Sequence, residues 1–117
     1  MRKNNVITIN NIKWNIVECD ENSEALQTDE GGVIFGLTKF STSEIFIRCK
    51  DISEDIRKRT IVHEVCHGYI YSFGIDGEHM NEEDVCNFVE SFAEKIAHDA
   101  NLIDKRIRRH LEDGLSR

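Results

Sequence analysis

The sequence predicts an α+β domain: a small, mostly antiparallel sheet of three to four strands in the first half and helices in the second. Three observations predict it. Apolar and polar residues alternate up to residue 49, the apolar spacing lengthens to three and four residues from residue 51, and the chain has no proline to interrupt those later runs. At 117 residues the chain can bury one core, so a single domain is expected over 1–117. A hydrophobic share of 39% with 32% charged residues is a globular balance rather than a disordered one.

Residues 6–19, VITINNIKWNIVEC, alternate in two runs that meet at Asn10-Asn11. That pair tolerates the positive φ of a tight hairpin turn, so two antiparallel strands are expected. Residues 20–32 are acidic and end in Gly31-Gly32, which reads as a surface loop with one helical turn near Ala25-Leu26. Two further β-rich runs follow at 33–40 and 44–49, separated by Ser-Thr-Ser.

The first helix is capped by Asp51 or Ser53, carries Ile56, Val62, Val65, Cys66, Tyr69 and Phe73 on its inward stripe, and stops at Gly74. Asn81 is the N-cap candidate of a second helix reaching Ala100, with Val85, Phe88, Val89, Phe92, Ala93 and Ile96 as its apolar stripe. Residues 101–115 read as a third, C-terminal helix with Leu102, Ile103, Ile107 and Leu111 inward.

A formal charge of −7 repels phosphate backbones and anionic membrane surfaces, so neither nucleic acid nor a membrane is an expected partner. The basic runs at residues 57–59 and at Lys105, Arg106, Arg108 and Arg109 stand among acids at helical spacing and read as solvated faces. No apolar run is long enough for a leader or a span, and the cysteines, at 19, 49, 66 and 86, form no C-x-x-C pair. A cytoplasmic protein with reduced thiols is expected.

The chemistry concentrates in His63-Glu64-Val65-Cys66-His67, an H-E-x-x-H pattern in the middle of the first helix. Residues four apart share a helix face, so both imidazoles can converge on one ion about 2 Å from each nitrogen. Glu64 is rotated by about 100° from His63 and reaches a water more readily than it ligates the ion, as a general base must. A catalytic zinc needs a third protein ligand. Counted back along the second helix, Glu82 falls on the azimuth of the apolar stripe, where an unpaired carboxylate would be costly. Glu83 and His79 are the alternatives. Cys66 and Cys86 read as packing residues and His98 and His110 as surface residues; Tyr69 and Tyr71 read first as core or rim packing and second as a phenol able to help stabilise an oxyanion.

The segments FGLTKFSTSEIFIR, RKRTIVHEVCHGYIYSFG and NEEDVCNFVESFAEKI together resemble the small metallopeptidase domains of the ImmA/IrrE type, particularly the short phage- and prophage-encoded members. The helix around the motif is also similar to that of SprT-like zinc proteases. The pattern is a Gly-x-Thr strand (Gly36, Thr38), an Ile-x-Ile edge strand (Ile45, Ile47), the H-E-x-x-H helix, and a helix opening on Glu82 with Val85, Phe88 and Val89 behind it. The resemblance implies a zincin-like fold, zinc held by His63, His67 and Glu82, and Glu64 as general base. It further implies a protein substrate such as a repressor, gripped by β-augmentation along the strand EIFIRC. Two rival classes remain open: a metal-containing, antirepressor-like binding protein that grips without cutting, and a helical protein with no metal.

Overall fold

Asn10 and Asn11 have φ of 47° and 66°, the paired left-handed backbone of a two-residue hairpin turn. In the computed structural model, which describes residues 4–115, they reverse β1 (Val6–Ile9) into β2 (Ile12–Cys19). A short 3-10 turn at Glu24–Leu26 follows, then β3 (Gly36–Lys39) and β4 (Glu44–Arg48), with Ser43 turning the second hairpin at φ 52°. Val33, expected in a strand, makes only an isolated bridge to Gln27.

The four strands form one sheet in the order β1-β2-β4-β3. Both hairpins are antiparallel, but β2 and β4 pair in parallel from Asn15↔Glu44 to Cys19↔Arg48, so the sheet is mixed. The order corrects one expectation. EIFIRC, taken as the edge, lies inside between β2 and β3, and the edges are β1 and β3. The sequence hides this because Ile45 and Ile47, both fully buried, fit an interior strand as well as the inner face of an edge.

Helix α1 (Glu54–Ser72) is capped by Ser53, whose hydroxyl accepts from the Ile56 amide at 3.2 Å. Gly74, at φ 64°, ends it. Its buried face is Arg57, Ile61, Glu64, Val65, Gly68, Tyr69 and Ser72. The expected stripe is therefore corrected at Ile56, Val62 and Phe73, which are exposed. The inward arc is centred on residues that carry little hydrophobic signal: a Cβ at Gly68 would stand 3.2 Å from Ile9 Cδ1 and 3.6 Å from Ile45 Cδ1 of the sheet, and the Ser72 hydroxyl accepts from Trp14 Nε1 at 2.8 Å. Asn10 Nδ2 donates to the Ser72 carbonyl at 2.9 Å, fixing the end of α1 to the first hairpin turn.

Helix α2 runs unbroken from Glu82 to Leu115, merging the two helices expected after residue 81. Neither proline nor glycine stands near residue 100 to divide it. Asn81 and Asp84 cap it reciprocally, each side chain accepting from the other's amide at 2.9 and 3.1 Å. Ile96, Ala100, Ile103 and Ile107 pack into the core with Trp14, Ile61 and Val65. Each fully buried aliphatic side chain contributes about 1.5–3 kcal/mol. Val85, Cys86, Val89 and Ala93 are exposed, so the expected stripe holds only from Phe88 and Phe92 onwards.

Three residues expected on solvated faces turn inward: Arg57, His110 and Arg106, whose Nη1 donates to the Val6 carbonyl at 2.8 Å. Arg57 Nε donates to Asp104 Oδ1 at 2.8 Å with both side chains buried, and Arg108 Nε reaches the other oxygen at 3.1 Å, joining α1 to α2. His110, expected on the surface, is instead half-buried and hydrogen-bonded to Glu18 of β2.

Candidate metal centre

A cleft of about 820 Å³ is lined by Phe35 and Gly36 at the start of β3 and by Thr60, Val62, Cys66 and Ile70 of α1. His63, Glu64 and His67 all line it, as do Lys58 and Arg59 at its basic end. The two imidazole centres are 5.0 Å apart with their planes at 74°. That separation suits one ion. A ring nitrogen about 2 Å from zinc sets the ring centre about 3.2 Å out, and a tetrahedral angle then places two ring centres about 5 Å apart. Donor chemistry agrees, since imidazole suits zinc and several other divalent metals.

Glu64 occupies a different setting. It is 7% exposed, and the Thr38 hydroxyl donates to its Oε1 at 2.7 Å while lying 3.1 Å from its main-chain oxygen. Among the described residues no lysine, arginine or histidine forms an ion pair with it. Gly36 makes the approach of strand to helix possible: a Cβ there would stand 2.7 Å from Thr60 Cγ2 and 2.8 Å from Glu64 Cγ. Gly36 and Thr38 enter the sequence reading only as parts of a family pattern; their physical role is to admit and hold Glu64. The available signal is a glycine and a threonine two apart in an otherwise apolar run.

Glu82 is not brought to the histidine pair. It stands exposed at the start of α2, as does Glu83, and among the described residues no three His, Cys, Asp or Glu side chains form a group able to hold a metal. His79, the third alternative, is exposed and bonded to Asp76 at 2.7 Å.

The remaining candidates separate cleanly. Tyr69 is buried and its hydroxyl donates to Asp99; burial, then that carboxylate, raises its pKa, which makes it a packing residue. Tyr71 is 39% exposed, stacked on His67 with ring centres 6.1 Å apart and against Phe40 at 5.2 Å, so it is the phenol at the site. Burial pushes the Cys66 thiol up, which suits packing rather than nucleophilic work. Cys86 is exposed, contrary to its expected packing role, because it lies off the Phe88–Phe92–Ile96 face by which α2 packs on the core. His98 lies on the surface as expected.

Fold and cleft together define the class: an α+β domain of four mixed strands and two helices, with a histidine pair and a buried glutamate of its first helix lining one cleft. Comparison with protein-family models, curated proteins and solved structures gives no match. Among the described residues no helix is long and apolar enough to cross a membrane.

Proposed function

We propose that the protein is a zinc-dependent metallopeptidase of the small ImmA/IrrE type, cytoplasmic, hydrolysing a peptide bond in a protein substrate such as a phage or mobile-element repressor. The observation that carries this reading is the pairing of two jobs in one cleft. Two imidazoles stand at the separation one ion requires, and a buried carboxylate with no cationic partner among the described residues stands beside them. The Thr38 hydroxyl holds one of its oxygens in place at the wall of that cleft.

His63 and His67 would hold the ion. Bound zinc supplies Lewis-acid polarisation of a carbonyl oxygen and brings a water towards neutral pKa. Glu64 takes the proton from the attacking water and returns it to the leaving amine. An extended substrate pairs with the free edge of β3, whose ends carry the exposed rings of Phe35 and Phe40. Glu82, exposed at the start of α2, is the third ligand that the resemblance assigns.

Metal analysis of protein purified without added zinc tests the reading. Wild type is expected to hold close to one equivalent, His63→Ala to lose it and Glu82→Gln to hold less; below about a tenth of an equivalent in folded wild type, the zinc reading fails. Glu64→Gln is expected to keep the metal and abolish cleavage. The rival is a metal-containing protein that binds its partner without cutting. Unchanged biological activity in Glu64→Gln would select it.

A further inference from the structure

We infer that Thr38 is the positioning residue for Glu64: its hydroxyl grips Oε1 so that Oε2 is kept beside Gly36 at the wall of the cleft. The inference rests on the peptidase reading for its kinetic half and on geometry alone for its structural half. A threonine hydroxyl has one proton to donate. Both atoms near it, Glu64 Oε1 at 2.7 Å and the Glu64 main-chain oxygen at 3.1 Å, are acceptors, and the shorter contact, to the carboxylate, takes the proton. The carbonyl is already served inside the helix by the amide four residues on.

The grip comes from a paired strand. Thr38 pairs with Ile45 in the β3–β4 ladder and Ile45 is fully buried, so the hydroxyl is fixed by main-chain register rather than by its own rotamer alone. Glutamate, by contrast, has three rotatable bonds and loses considerable side-chain entropy when held. Gly36 supplies the complementary space: its missing side chain would stand 3.1 Å from Oε2. One strand therefore anchors one carboxylate oxygen and leaves room for the other.

Thr38→Val keeps the shape and removes the donor; Thr38→Ser keeps the donor and removes a methyl. With fluorescein-labelled casein as probe, Thr38→Val is expected to lower kcat by about 10- to 100-fold at unchanged KM and unchanged bound zinc, the cost of a misplaced base. Thr38→Ser should stay within about threefold of wild type. Equal activity in wild type and Thr38→Val, or equal loss in both variants, overturns the inference in favour of packing. Crystal structures of both variants give a readout that needs no turnover. The Glu64 carboxylate is expected to leave its place in Thr38→Val and keep it in Thr38→Ser. If it stays in Thr38→Val, the inference falls whatever the activity. A wild type as inactive as Glu64→Gln refutes the peptidase reading instead, with the carboxylate position still deciding the role of Thr38.

Discussion

Gly36→Ala sets two opposed effects against each other at the point where the strand meets the candidate base. An ideal Cβ would lie 2.7 Å from Thr60 Cγ2 and 2.8 Å from Glu64 Cγ. Unstrained carbon contacts are about 3.5–4.0 Å, so roughly 1 Å of clearance is lacking on both sides. Neither neighbour gives way easily. Thr60 is β-branched and its hydroxyl is bonded to the Ile56 carbonyl at 2.8 Å, while Glu64 is held by Thr38. The strand must move outward. Overpacking of this kind costs about 1–3 kcal/mol. Alanine recovers about 0.4–1 kcal/mol by restricting the unfolded chain. Because β3 is an edge with one neighbour and can shift, the net loss is expected to be about 1–2 kcal/mol. Urea unfolding measures it. Adding Thr60→Ser removes the nearer methyl and should recover part of the loss relative to Thr60→Ser alone. A Gly36→Ala protein as stable as wild type, or no recovery in the pair, would refute the clash.

Other perturbations test the rest of the structure. Asp104→Ala leaves Arg57 buried without its partner and is expected to cost about 3–5 kcal/mol in urea unfolding, whereas Arg57→Met with Asp104→Leu should restore most of it. Burial, followed by the nearby Glu18 charge, pushes the Cys49 thiol up from 9.0 to about 12. The folded state thus favours the protonated thiol, so its contribution is full below pH 9.0 and is lost as the pH rises towards about 12. Urea midpoints measured across that range should fall, and fall less steeply in Cys49→Val. Iodoacetamide followed by mass spectrometry should label exposed Cys86 in the folded protein and reach buried Cys19 and Cys49 only on unfolding; equal labelling of all three in native buffer would contradict the packing.

Much of this was legible because it is local. The Asn10-Asn11 turn, the Ser53 and Asn81 caps and the Gly74 stop each need only a few adjacent residues, and each stands where the sequence puts it. The i, i+4 placement of His63 and His67 is equally local and follows from helix geometry. What failed was tertiary. Nothing in EIFIRC says whether its outer side meets water or another strand, and the parallel β2–β4 pairing brings together residues far apart in the chain. Gly68 and Ser72 face the sheet without being apolar, so the stripe count drifted to Val62 and Phe73. The Glu82 azimuth failed differently. Helical phase gives the direction of a side chain around its helix but not whether a neighbour covers it, and Glu82 is exposed.

The parallel pairing of β2 with β4 has a kinetic consequence. Each hairpin closes through a short turn and can form by itself, but the β2–β4 seam brings together residues about thirty apart, a loop that must lose its entropy before any seam bond repays it. The sheet is therefore two quick halves joined by one slow suture. The half that carries Gly36 and Thr38 acquires its final place only when that suture closes.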